Sequence, residues 1–302
     1  MTKLVSLKEA VAECVQDEDT LVIEGFTHLI CHAAGHEIIR QKKKNLTLAR
    51  LTPDTVYDQM IEAGVCKKLV FSWAGNPGVG SLHAVRRHTE AKYTERIELE
   101  EYSHGGMMTR LQAGSMGQPF GMIQSFNGTD IPKVNPAIKE ITCPYTQKKI
   151  QTVPALNPDV CVVHVQRADK NGNAQVWGLM GTQKESAFAA KKVIVVAEEI
   201  VEASVIRRDP NRTLIPEVIV DCVVHEPWGC HPSFAQGYYD RDNDFYVNWD
   251  VISRDSKTYA DWLNEFVYSS ENHADYMKKL GTKTMERLKA KSRMCEGVDY
   301  GY

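Results

Sequence analysis

Short branched apolar runs alternate with amphipathic helical segments through the first hundred residues, and this alternation admits few folds. Leu21-Val22-Ile23, Leu46 to Leu51 and Lys68-Leu69-Val70-Phe71-Ser72-Trp73 are strand-length and rich in branched side chains. Helical patterns separate them. Strands joined through helices pair in parallel, because returning to the same end of a sheet takes a dozen or more residues of crossover. The predicted class is α/β: an open, mostly parallel sheet with helices on both faces.

Local signals place the ends of these elements. Ser6-Leu7-Lys8-Glu9 reads as a capping box, and Leu7, Ala10, Val11, Cys14 and Val15 put one apolar stripe along the helix that follows. Asp17-Glu18-Asp19 stops it. A second helix is predicted over Ala33 to Gln41, Asp54 caps a third, and Gly64 ends that one. A helix carrying Arg86-Arg87, a strand over Ile97 to Glu101 and a helix over Met107 to Met116 follow, the last ended by Gly117-Gln118-Pro119-Phe120.

The chain is read as one domain, 1–302, in which periodicity fades between Gly121 and Ile150. Pro132, Pro136 and Pro144 mark that stretch as an irregular excursion. Val160 to Val165 then forms a continuous apolar run, the pattern of a strand buried on both faces. Asp169 to Asn173 is a tight turn to a returning strand at Ala174 to Trp177, and Val193 to Ala197 and Val218 to Val224 are two more predicted strands. The segment 258–291 reads as helical and polar.

Composition excludes several partners. A net charge of −3 with scattered lysines and arginines offers no patch for nucleic-acid phosphates. No stretch approaches eighteen consecutive apolar residues and the first residues lack an apolar leader core, so neither a membrane nor secretion is expected. The eight cysteines form no Cys-x-x-Cys pair and read as reduced thiols of a cytoplasmic protein.

Three loops stand where an α/β sheet binds ligands, after its strands. Glu24-Gly25-Phe26-Thr27-His28 offers backbone approach to a thioester or carboxylate, although a plain strand-to-helix turn reads the same way. Ser72 to Ser81 carries three glycines with Asn76, enough backbone N–H groups to meet an oxyanion, yet it has neither Walker nor dinucleotide spacing. Ser103-His104-Gly105-Gly106 opens a helix with Ser103 as its cap, and His104 is a candidate general acid or base. Cys222, His225, Cys230 and His231 lie within ten residues but lack the spacing of a zinc site, so no metal is expected. No Gly-x-Ser-x-Gly elbow is present, and Gly114-Ser115 reads as a helix packing position.

Several segments together resemble the A subunits of class I coenzyme A transferases of the glutaconate type, from Leu4 to about Gly281. The most specific are Ile206-Arg207-Arg208-Asp209-Pro210, Val220-Asp221-Cys222-Val223-Val224, Pro227-Trp228-Gly229-Cys230-His231-Pro232-Ser233 and Gly237-Tyr238-Tyr239-Asp240. Gly25-Phe26-Thr27, Asn76 to Val79 and Gln118-Pro119-Phe120 add weaker matches.

The resemblance implies an enzyme of two similar α/β subunits, A and B, in an A2B2 or larger assembly, with the active site between them. The nucleophilic glutamate is then on B, and CoA passes by a ping-pong route from an acyl-CoA to a small, dicarboxylic acid. CoA is a substrate, with no resident cofactor. Carried over by position, Gly25, Phe26, Thr27, His28, Ser72, Gly75, Asn76, Gly78, Ser103 and Gly105 face the substrate, with His104 the candidate for proton transfer. The chain departs from the family at Glu24, where A subunits read glycine, and at Pro77, where the glutaconate enzyme has serine. Hydrolase, lyase and decarboxylase branches of the superfamily stand as alternatives. So, more remotely, does a ligand-binding domain of a regulator, which would need a DNA-binding helix-turn-helix beside it.

Overall fold

A computed structural model describes residues 3–77, 80–90 and 96–290. The first half runs β1 (Leu4–Val5), α1 (Leu7–Cys14), β2 (Thr20–Glu24), α2 (His32–Arg40), β3 (Leu46–Ala49), α3 (Thr55–Glu62), β4 (Cys66–Phe71), α4 (His83–Thr89), β5 (Glu98–Glu101) and α5 (His104–Ser115). An insertion follows with β6 (Phe120–Ile123), α6 (Ile131–Val134), β7 (Lys139–Thr142) and β8 (Lys149–Pro154). Then come β9 (Val160–Ala168), β10 (Ala174–Gln175), α7 (Gln183–Ala189), β11 (Lys192–Ile200), α8 (Ala203–Arg208), β12 (Thr213–Ile215) and β13 (Cys222–His225). The described residues end with α9 (Asn243–Arg254), α10 (Ser256–Trp262), a π-helical stretch Leu263–Tyr268, α11 (His273–Leu280) and α12 (Thr282–Leu288).

The main sheet has the order β1-β13-β11-β9-β2-β3-β4-β5, and its neighbours along this path are parallel. Off this path, among the described residues, the short β10 pairs antiparallel with β9 and β12. From β2 the order climbs through β3, β4 and β5 on one side and passes to β9 on the other, so the connections part at β2. That is the point at which open α/β sheets leave a crevice beyond their strand ends.

Register explains why the apolar runs lack alternation. Ile23, Val162, Ile194 and Cys222 line up across four strands and join one core with α1, α2, α3 and the C-terminal aromatics. Their neighbours Val22, Cys161, Val163, Val195 and Val223 face the other way, into a core closed by α5, α7 and the insertion. Both faces are covered, so both sets of side chains must be apolar.

The helix signals act as expected. Ser6 Oγ accepts the N–H of Glu9 at 3.2 Å while the Glu9 carboxylate accepts the N–H of Ser6 at 2.8 Å. Asp54 and Ser103 cap α3 and α5. Gly114 would drive a Cβ to within 2.3 Å of Leu156 O, in keeping with a packing position.

Three expectations need correction. The stretch expected to be irregular carries a three-stranded antiparallel sheet, β6-β8-β7, in which β6 exposes the apolar Phe120 and Met122 and β7 is mostly polar, so apolar alternation is weak. The strand expected from Val218 begins only at Cys222. Behind Pro216 the backbone makes a tight 3-10 turn, Glu217–Ile219, that leaves Val218 83% exposed. Helix in the C-terminal region starts at Asn243 rather than near 258, capped by Asp242, whose Oδ1 accepts the N–H of Phe245 at 3.2 Å. No helix among the described residues is long and apolar enough to cross a membrane.

Burial holds several histidines neutral inside the fold. It pushes His28 and His32 down to about 4 and His273 down to about 3, since a charged ring would have to give up water. At His28, Nε2 accepts the N–H of Gln236 at 3.0 Å while Nδ1–H donates to Leu179 O at 2.7 Å, so protonation would set two donors face to face. The unfolded protein binds these protons near 6.5 and the folded protein does not. This stability is therefore whole above about pH 6.5 and is lost as pH falls towards 4. Asp58 and Glu226, which burial pushes up to about 6 and about 7, and Glu24, also pushed up, act with the opposite sign, but His36 and His231 are pushed down as well, so the histidines outnumber them. We expect Tm at pH 5 to lie on the order of 5–10 °C below its value at pH 7. Scanning calorimetry showing a flat or rising Tm over that interval would contradict the neutral rings.

Candidate active site

Beyond the carboxyl ends of β2, β3 and β4 the structure opens a cavity of about 350 Å³. Phe26 and Thr27 come from the loop after β2, Arg50, Thr52 and Asp54 from the loop after β3, and Trp73, Gly75 and Pro77 from the loop after β4. His104, the exposed first residue of α5, and Arg241, just ahead of α9, complete the wall.

The β2 loop is held in an unusual backbone. Gly25 sits at φ +153°, where a Cβ would come within 2.8 Å of the carbonyl oxygens of His28 and Leu29. Thr27 takes φ +55°, a region a β-branched residue rarely adopts. Such backbone persists only where its surroundings over-determine it. Ser233 Oγ–H donates to Thr27 O at 2.8 Å, and the N–H of Leu29 donates to Phe234 O at 3.0 Å. The 227–236 segment, which carries the most distinctive sequence matches, thus clamps the loop from behind.

The β4 loop is stitched to its neighbours. Ser72 Oγ–H donates to Leu51 O at 2.6 Å, and Asn76 Nδ2–H donates to Tyr246 O at 2.7 Å. Gly75 is required because a Cβ there would fall 2.3 Å from the Trp73 ring, which folds back across it. At α5, Ser103 Oγ accepts the N–H of Gly106 at 3.0 Å and lies 2.8 Å from Ser125 Oγ.

Of the residues singled out from the sequence, the structure gathers Phe26, Thr27, Gly75 and His104 around the cavity. Gly25, Ser72, Asn76 and Ser103 shape its loops without lining it. His28 turns inward, both ring nitrogens engaged, and Gly105 has no crowded neighbour. Gly78 lies outside the described residues.

Cys222, His225, Cys230 and His231 do not converge. Cys222 Sγ lies 3.6 Å from Cys14 Sγ, His225 is exposed, and His231 Nε2 lies 3.0 Å from Asp242 Oδ2. Cys230 instead joins His164 and Glu198, with ligand-type atoms within 4.8 Å. The Glu198 carboxylate there is already taken by the His164 ring, the Tyr239 hydroxyl and the N–H of Trp228. That cluster reads as a closed buried network.

Sequence reading missed the arginines. Arg50, 1% exposed, donates from Nη2 to Gly25 O and sets Nη1 3.3 Å from Asp54 Oδ2. Arg241 donates from Nη2 to Pro77 O and lies with its guanidinium carbon 4.4 Å from the Tyr246 ring centroid. They are 191 positions apart and belong to no motif; an arginine directly after a buried strand was the one available hint. Glu24 closes β2 behind Arg50. Burial pushes its carboxyl up, while Arg50 and the N–H of Thr182, 3.1 Å away, pull the other way.

Residues 4–226 match the coenzyme A transferase family. The protein is 47% identical over 280 residues to the A subunit of 3-oxoadipate CoA-transferase from Pseudomonas knackmussii, a match that covers 93% of this chain, 99% of that one. To the A subunit of glutaconate CoA-transferase from Acidaminococcus fermentans it is 31% identical over 306 residues, 96% of this chain, 95% of that one. The crystal structure of glutaconate coenzyme A-transferase from that organism superposes with a TM-score of 0.90, at 31% identity and 96% coverage of each chain.

Proposed function

The chain belongs to the coenzyme A transferase family, and from that premise we propose that its cavity binds the carboxylic acid that gives or takes CoA, as one half of an active site shared between two subunits. The activity is transfer of CoA between an acyl-CoA and an acid. One observation carries the division of labour. The cavity holds arginines, hydroxyls and a histidine, but its only carboxylate among the described lining residues is Asp54. Asp54 is committed, with Oδ1 accepting the N–H of Val56 at 3.3 Å as the α3 cap and Oδ2 facing Arg50. It is a poor nucleophile.

The attacking carboxylate in this reading is a glutamate of a B subunit, which is the partner that the A-subunit relatives imply. That carboxylate adds to the thioester carbonyl and expels CoA as its thiolate, leaving a mixed anhydride. The thiolate then attacks the glutamyl carbonyl of the anhydride, releasing the first acid and leaving a glutamyl thioester. A second acid runs the two steps in reverse, with nothing oxidised or reduced. The present chain contributes position: Thr27, Thr52 and His104 offer polar groups, and Trp73, Phe26 and Pro77 exclude water. Relatives named for 3-oxoadipate and glutaconate support a short dicarboxylic acid here, and the assembly proposed with the B subunit is A2B2 or larger. CoA enters as substrate, and the reading needs no resident cofactor. Free thiols at the described cysteines agree with a reducing cytoplasmic setting.

The test is co-expression with a B subunit of the 3-oxoadipate type, followed by incubation with succinyl-CoA and 3-oxoadipate. We expect CoA exchange by the complex at least about 1,000-fold faster than by the isolated protein, with a CoA adduct trapped on a B-subunit glutamate. Exchange by the isolated protein at the rate of the complex would overturn the division of labour. CoA release equally fast without an acceptor acid would make the enzyme a hydrolase.

A further inference from the structure

The charges around the cavity are unevenly paired: Arg50 has Asp54 beside it and the Glu24 carboxyl behind it, whereas Arg241 is in no ion pair among the described residues. The cavity lining holds the guanidiniums of Arg50 and Arg241 against the single carboxylate of Asp54. Asp54 is spent on Arg50, at 3.3 Å. Among the described residues no carboxylate lies within 4.0 Å of Arg241, and its Nε is buried without a hydrogen bond. Arg50 likewise has Nε and Nη1 buried without hydrogen bonds.

Arg241 is half-buried, and a guanidinium partly withdrawn from water without a counter-ion favours an anion, whose carboxylate its planar fork matches with two parallel hydrogen bonds. Arg241 is also fixed in advance. Its Nη2 is tied to Pro77 O and its face lies over Tyr246, so little freedom remains to be lost when an anion arrives. Around the pair the walls are apolar, from Trp73, Phe26 and Pro77. At about 350 Å³ the space suits a small acid, at the lower end of ligand pockets.

We infer that Arg241, with Arg50 behind it as a positioning residue, seats the carboxylate of a short dicarboxylic acid that does not react. A carboxylate clamped on a guanidinium is a weak nucleophile, so the pair suits the distal group and leaves the other end free for the thioester chemistry. Binding energy gathered at that remote end orients the reacting end. This inference rests on the CoA-transfer reading and adds to it a selection rule, diacid over monoacid.

The A–B complex carrying Arg241→Met tests it, with 3-oxoadipate and 3-oxohexanoate as acceptors and with calorimetric binding of adipate and hexanoate in the absence of acyl-CoA. Expected is a fall on the order of 100-fold in kcat/KM for the diacid, with a loss at least about 10-fold smaller for the monoacid. Adipate binding should disappear, and Arg241→Lys should restore part of both. An equal loss for both acceptors, or adipate binding that survives Arg241→Met, overturns the inference, and an unchanged Tm shows that either variant is folded. Adipate binding that depends on Arg241 in a complex transferring CoA to no acid would keep the seat and remove the transfer reading. Transfer without diacid preference in the wild type would do the reverse.

Discussion

Replacing Arg50 with methionine is expected to cost the fold about 3–5 kcal/mol, the range found when one partner of a buried ion pair is removed. Arg50 is 1% exposed and Asp54 is 2% exposed, so water cannot take over the lost interactions. The change strands the Asp54 carboxylate opposite a methyl group and deprives Gly25 O of its donor. It also removes the positive charge that pulls against the burial of the Glu24 carboxyl. The loops after β2 and β3 would then separate where they wall the cavity, so CoA transfer should fall together with stability. Urea denaturation of the single variants Arg50→Met and Asp54→Asn and of the double variant gives the coupling directly. Asparagine keeps the helix cap and removes the charge, so the double variant should recover much of the loss. If Arg50→Met alone costs under about 1 kcal/mol, the pair carries no more than a surface bridge.

A second large effect is expected in the core that α3 shares with the C-terminal helices. Trp249 is fully buried, stacked on Phe245 with centroids 5.4 Å apart and planes at 11°, and edge-on to Tyr259 and Trp262 at 5.0 and 4.7 Å. Its indole N–H points to Asp58 Oδ2 at 3.4 Å, where the Tyr259 hydroxyl also donates at 2.9 Å. Asp58 Oδ1 meanwhile accepts the N–H of Val85 at 3.0 Å. One carboxyl thus ties α3 and α4 to α9 and α10. Trp249→Ala should cost about 3–5 kcal/mol through the cavity it leaves. Activity should follow, because the same helix α9 supplies Tyr246, whose carbonyl holds Asn76 and whose ring carries Arg241. Trp249→Phe keeps the stack and should cost less than half as much. Equal losses for alanine and phenylalanine would shift the weight from packing to the indole N–H.

The positions of the strands and helices in the first half were legible because periodicity is a local property. Ser6 with Glu9, Asp54 and Ser103 announced helix starts through hydrogen bonds that span three residues or fewer. The insertion was harder to read. Its sheet exposes alternate residues such as Met122, and β7 is nearly all polar or charged, so apolar alternation is weak there. Val218 misled for a related reason. Branched apolar residues suit a strand, but solvent exposure at that turn is decided by Pro216 and by packing farther off.

The cavity was half legible. Loops after strands at the switch point are dictated by the parallel order, and Gly25, Phe26, Thr27 and Gly75 follow from that order. His28 stands beside Thr27 in the sequence yet points into the core, since the left-handed backbone at Thr27 and Leu29 turns alternate side chains opposite ways. No spacing rule reports such a turn.

By itself, the sequence determined the strand and helix alternation, the helix caps, the apolar character of both sheet faces and the family, all of which rest on neighbours or on order along the chain. Only the tertiary structure decided which charges meet. Arg241 reaches the cavity because α9 packs over α3 and α4 through Trp249 and Asp58, and there it lines the same cavity as the loop that carries Arg50. Electrostatic balance depends on distance through space. A guanidinium without its counter-ion therefore became visible only when residues 50 and 241 were brought to one wall.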